Sequence, residues 1–143
     1  MKIIKSLKSS LIAASIAVIS PLASAEIAIV VNPESEMAKA SASDITQLFL
    51  GKRNEIDGQA ARALDQAEGS PTRDEFYSKV VNKTGSQLNA YWSRLIFTGK
   101  GMPPDKVDDD VEVIEMVAEE EDLVGYVSPS SVDETVKVIL VIP

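Results

Sequence analysis

Leu64-Asp65-Gln66-Ala67-Glu68-Gly69-Ser70-Pro71-Thr72-Arg73 reads as a strand end, a tight turn and a helix start. Ala63 and Leu64 are the apolar strand end, and Gly69 supplies a residue that tolerates positive φ. Ser70 is a good N-cap, and Pro71 occupies the favoured first helical position. Asp74 and Glu75 then place acid in the first turn. Beyond them Phe76, Val80 and Val81 recur at helical spacing, which predicts a helix running to about Val81. A strand, a glycine turn and a capped helix start aim unpaired N–H groups and a positive dipole end at one spot. That geometry suits an oxyanion. The same residues also serve as a plain turn and cap, and Asp74 and Glu75 use part of the dipole themselves.

Outward from this unit, the pattern alternates strands with helices. Glu26-Ile27-Ala28-Ile29-Val30-Val31 reads as a buried strand ended by the Asn32-Pro33 turn. Ser41 to Leu50 reads as a helix, with Ser41 and Asp44 as a capping box and Gly51 as its left-handed stop. Lys52 to Gln59 is a polar loop containing Asp57-Gly58, and Arg62 to Asp65 is the short strand before the glycine turn. A helix over Ser86 to Phe97 places Leu88, Tyr91, Trp92 and Leu95 on one stripe, with the two aromatics as core. After a loop from Thr98 to Pro104, a helix over Asp109 to Glu120 is expected to turn Val111, Ile114, Val117 and Ala118 inward. Leu123 to Val127 and Thr135 to Ile142 close the chain as strands. The class is α/β, a sheet covered by helices on both faces.

Residues 1–25 read as an export signal. Lys2, Lys5 and Lys8 form a positive n-region, Leu11 to Ser20 an apolar stretch too short to span a bilayer, and Ala23-Ser24-Ala25 a cleavage site. No cysteine is present for a lipid anchor, so the expectation is a periplasmic domain, 26–143, released by cutting after Ala25 and not inserted in the membrane. That length suits one domain with one core.

The chain has no cysteine and no histidine. Disulfides, Ser-His and Cys-His nucleophile pairs are therefore closed to it, and zinc would need carboxylates alone. Neither an enzyme activity nor a cofactor or metal is called for. All 22 acidic residues lie beyond Ala25, against 11 of the 14 basic ones, so residues 26–143 carry a formal charge of −11. That balance argues against nucleic acid and an anionic membrane surface as partners. It does not exclude a small anion, because a helix end acts at contact while salt screens the rest beyond roughly 8–10 Å. The acid runs Asp108-Asp109-Asp110 and Glu119-Glu120-Glu121-Asp122 lack the alternating ligands and central glycine of a calcium loop. They read as solvated faces, and the second run sits unfavourably at a helix C-terminus.

Ile45-Thr46-Gln47-Leu48-Phe49-Leu50-Gly51-Lys52, then Glu68-Gly69-Ser70-Pro71-Thr72-Arg73-Asp74-Glu75-Phe76, then Val124-Gly125-Tyr126-Val127 resemble, in that order, segments of the substrate-binding proteins of phosphate ABC transporters. The resemblance implies a single lobe of a periplasmic-binding-protein-like fold, with a mixed sheet, at about half the usual length. Family members close two such lobes on phosphate, and one lobe presents a Gly-Ser-Gly-Thr turn to the anion. By position Gly69, Ser70 and Thr72 match that turn, Pro71 replaces its second glycine, and Gln66 stands where an arginine commonly clamps the phosphate. Arg73 offers a substitute charge. The implied function is a phosphate or oxyanion-binding module held at Gly69, Ser70, Thr72, Arg73 and Gln66. Its partners would be a transporter or sensor component, or a second copy completing the cleft. The alternative is an interaction protein that kept the lobe and lost the ligand.

Overall fold

A computed structural model describes residues 25–143; the export signal expected over residues 1–25 falls, apart from Ala25, outside the described residues. The five-stranded sheet is built from β1 (Ile27–Val31), β4 (Arg62–Gln66), β5 (Asp105–Val107), β6 (Leu123–Val127) and β7 (Lys137–Ile142). Its order is β5-β4-β6-β1-β7. β4 runs parallel to β5 and β6, whereas β1 runs antiparallel to β6 and β7, so the sheet is mixed as expected.

β1 shows why a continuous apolar run was needed. Ile27, Ile29 and Val31 pack into one cluster with Ile45, Leu48, Phe49, Phe76, Leu88 and Trp92. Ala28 and Val30 pack into the opposite one with Leu64, Val113, Ile114, Val117 and Val127. Side chains alternate across a strand, so a strand buried on both faces cannot alternate in polarity. Helices α1 (Ala42–Phe49), α2 (Pro71–Phe76) and α3 (Gly85–Phe97) supply the first cluster, and α4 (Asp110–Glu119) the second. Gly125 in β6 lets α4 approach closely. A Cβ there would lie 2.5 Å from Val113 Cγ1 and 3.3 Å from Val117 Cγ2, so any side chain would force the helix off the sheet.

The caps follow the sequence. Ser41 and Asp44 exchange backbone-to-side-chain hydrogen bonds at the start of α1, which holds the Asp44 carboxyl below its usual range, and Gly51 follows with φ 72°. Four expectations are corrected. The polar loop contains a hairpin, β2 (Glu55–Ile56) and β3 (Gln59–Ala60), turned by Asp57 and Gly58 with φ 51° and 76°. Positive φ at both central residues matches the twist of paired strands, and the fully buried Ile56 anchors the hairpin. The helix does run to Val81 as expected, but only α2 is α-helical and the remainder, Tyr77–Val81, is a π-helical segment closed by Asn82 with φ 56°. In α4, Val111 is 62% exposed while Val113 is buried, because the helix packs on β1 and on Gly125 of β6 through Val113, Ile114 and Val117.

The fourth correction is partial: Asp108, Glu119 and Glu121 are exposed as expected of solvated faces, but Asp110, Glu120 and Asp122 are anchors. Arg62 at the start of β4 donates Nε to Asp122 at 2.7 Å and Nη2 to Glu120 at 2.6 Å, tying β4 to the entry of β6. The arginine holds the Asp122 carboxyl below the usual range. Asp110, in the first run, enters the site described next.

Candidate oxyanion turn and its supporting cluster

β4 delivers two polar side chains into the interior at its carboxyl end. Asp65 and Gln66 are 1% and 0% exposed. The chain then turns at Gly69, whose φ of 93° is open to glycine at no steric cost, and Ser70 N donates to Ala67 O at 3.2 Å. Ser70 caps α2, its Oγ accepting from the Arg73 amide at 3.3 Å. The same hydroxyl donates to Gln66 Oε1 at 2.6 Å. Gln66 Nε2 donates onward to Asp110 Oδ1 at 2.8 Å and to the Tyr126 carbonyl at 2.9 Å. Asp110 Oδ2 accepts from Ser128 N at 3.0 Å and from Ser131 Oγ at 2.8 Å. The β4–α2 turn, the start of α4 and the end of β6 are thus locked together at the carboxyl ends of two parallel strands. Ligands of open α/β sheets commonly bind in that position.

The structure brings Gly69, Ser70, Thr72 and Gln66 to one turn and takes Arg73 elsewhere. Gln66 is an internal strut with its amide committed on both sides, and Ser70 spends its proton on that strut. Pro71 has no N–H to offer. Among the described residues, neither the amide nor the hydroxyl of Thr72 has a hydrogen-bond partner, so the turn's open donors are centred there. Asp110 places a carboxylate behind the turn, and Glu68 and Asp74 stand exposed beside it.

Arg73 is only 6% exposed. Its Nε lies 3.8 Å from Asp65 Oδ1, and its guanidinium carbon 4.8 Å from the centre of the Tyr77 ring. Asp65 is the hub of this cluster. Tyr126 donates its hydroxyl to Asp65 Oδ1 at 2.5 Å, and Tyr77 donates to Oδ2 at 2.7 Å. Tyr126 stacks on Phe76 with centroids 3.9 Å apart, and Phe76 meets Phe49 edge-on at 4.7 Å. Sequence reasoning passed over Asp65, Tyr77 and Tyr126; the signal available was an acid inside a strand that ends in the core.

Burial, and secondly the neighbouring Asp65 charge, push both phenols well above the ordinary tyrosine value. The folded state therefore holds these two protons more tightly than the unfolded chain does. Stability from them is complete below about pH 10, and declines above it by roughly 1.4 kcal/mol per pH unit for each tyrosine. Urea midpoints measured from about pH 9 to pH 11 should fall as the unfolded tyrosines ionise. A midpoint that stays level would place both hydroxyls outside the buried cluster.

No family model matches the chain, and no curated protein matches it. Solved structures do. An ABC-type phosphate transport receptor from Vibrio cholerae superposes with a TM-score of 0.64 at 21% identity, covering 80% of this chain and 46% of that one. The chain has the fold of one lobe of such a receptor. A putative phosphate ABC transporter substrate-binding protein from Clostridium perfringens, with bound phosphate, gives 0.64 at 20% identity and the same 80% coverage, over 45% of its own length. PstS from Borrelia burgdorferi gives 0.58 at 13% identity, over 47% of its length. The chain therefore spans under half the length of each of these three structures. Among the described residues, no helix is long and apolar enough to cross a membrane.

Proposed function

We propose that this chain is an exported oxyanion-binding module of the phosphate-receptor type, holding its anion at the Gly69–Thr72 turn. One observation carries the reading: a Gly-Ser-x-Thr turn at the carboxyl ends of parallel strands, with both Thr72 donors uncommitted, in a fold shared with a protein solved with bound phosphate. The anion takes the Thr72 amide, the Thr72 hydroxyl and the positive end of α2. One lobe leaves half of the anion in water, so affinity depends on a second wall from a transporter or sensor component or from a second copy.

Phosphate at ~100 times its dissociation constant should raise stability by ~2.7 kcal/mol, several degrees in the midpoint of residues 26–143. Sulfate and chloride serve as controls. Thr72→Ala should weaken that binding about tenfold, since a hydrogen bond to a charged group contributes roughly 1.5–3 kcal/mol. An unchanged phosphate shift in this variant would remove the turn as the site.

The second reading is an interaction protein without a ligand. It is favoured by the Gln66–Asp110 strut, which satisfies internally the groups an anion would use. Ile96, Phe97 and Met102 support it, being exposed at 48%, 92% and 74% around the end of α3. Equal stabilisation by every salt would select this reading.

A further inference from the structure

A cavity of about 520 Å³ opens beside α3, walled by Arg73, Tyr77, Asn82, Lys83, Gly85 and Leu88 among others, with none of Gly69, Ser70 and Thr72 in its lining. The Arg73 side chain reaches it almost fully buried, yet its Nε has no hydrogen-bond partner. Asp65 does not supply one. Both its oxygens accept tyrosine hydroxyls, and at 3.8 Å it stands beyond hydrogen-bond reach of that nitrogen. The Arg73 charge is offset by Asp65, but its Nε has lost its water without gaining an acceptor, which is rare for a buried donor.

The far wall offers matching donors. Thr84 and Gln87 form a capping box at the start of α3, a helix of 13 residues, and it consumes the Gln87 and Thr84 amides. The amides of Gly85 and Ser86 remain at the positive end of the helix, and a Cβ on Gly85 would meet nothing within 4 Å. Lys83 lines the same space. Among the described residues its ammonium has no ion pair and rests 5.7 Å from the Tyr91 ring.

We propose that this cavity is a second ligand site, separate from the Gly69–Thr72 turn, which takes the carboxylate of a small organic acid. Asp65 behind Arg73 and Asp74 at the wall offset the two cations. A singly charged headgroup held by directed hydrogen bonds therefore fits better than a multiply charged anion. The planar fork of a carboxylate matches the guanidinium, the helix amides take its second oxygen, and the volume leaves room for a polar body beyond the headgroup.

The test is an amide and arginine-Nε NMR titration of residues 26–143 with acetate and, separately, with inorganic phosphate, each to tens of millimolar. Acetate should move the Arg73 Nε–H, Gly85 and Ser86 signals and leave Gly69 and Thr72 in place. Lys83→Gln, at a half-buried position that spares the core, should weaken the acetate response at least threefold. Silence at Arg73 Nε and Gly85 in acetate overturns the proposal, as does a response that Lys83→Gln leaves intact. A cavity response to phosphate but not acetate overturns the assigned headgroup. Movement at Thr72 in phosphate reports on the turn alone, so failure there and failure here are read from different signals.

Discussion

Asp65→Ala should destabilise the protein by about 3–5 kcal/mol, the scale expected when one partner of a buried charge pair is removed. The substitution strands three groups together. Arg73 loses the carboxylate 3.8 Å from its Nε, and the Tyr77 and Tyr126 hydroxyls lose their acceptors inside the core. Folded domains of this size have total stabilities of roughly 5–15 kcal/mol, so a large share of the margin goes. Urea denaturation of the variant beside the parent measures it. The doubly substituted Asp65→Ala, Arg73→Met removes the orphaned charge as well, and should be more stable than Asp65→Ala alone. A loss under about 1 kcal/mol, or strictly additive effects, would show that Asp65 and Arg73 do not support one another.

That cluster also marks the boundary of what the sequence discloses. Caps and turns were legible because their partners sit within a few residues. Ser41 with Asp44, Ser70 with the Arg73 amide and the left-handed Gly69 are all local events. β1 and β6 were legible as apolar runs, since burial on both faces leaves no other composition. Gln66, Asp110 and Tyr126 were not, because their bonds join positions 44 and 60 residues apart. No spacing rule links them, and an acid run is solvated more often than not. The Glu120 and Asp122 anchors on Arg62 were hidden for the same reason. Val111 was taken for Val113 because either valine completes an apolar stripe with Ile114 and Val117, and only the close approach at Gly125 decides which turns inward. β5 was missed as a three-residue strand with two exposed positions, recognisable only once β4 lies beside it.

The candidate site divides along the same line. Its backbone geometry is local and was readable, whereas the state of its side chains depends on distant partners. Thr72 stands ready, but the direction of Arg73 and the commitment of Ser70 could be known only from where Asp65 and Asp110 lie. The question for function is therefore whether the strut has replaced the anion or merely muted it.

Gln66→Arg separates those answers, and it should strengthen phosphate binding about tenfold to a hundredfold. Gln66 Oε1 now accepts the Ser70 hydroxyl at 2.6 Å. A guanidinium has no acceptor, so the Ser70 proton becomes free to rotate towards an anion at the turn. The new cation rises from the carboxyl end of β4, with Asp110 at hand to orient it as it now orients the Gln66 amide. Charged hydrogen bonds contribute roughly 1.5–3 kcal/mol each, which sets the expected range in affinity. The longer side chain enters a fully buried position, and overpacking there should cost about 1–3 kcal/mol of stability. Calorimetric titration with phosphate on the folded variant gives the affinity, and urea denaturation gives the cost. If the variant folds and its phosphate affinity does not rise, the turn lacks the geometry of an anion site. Thr72 would then be one more helix-start residue, and the lobe a surface built for another protein.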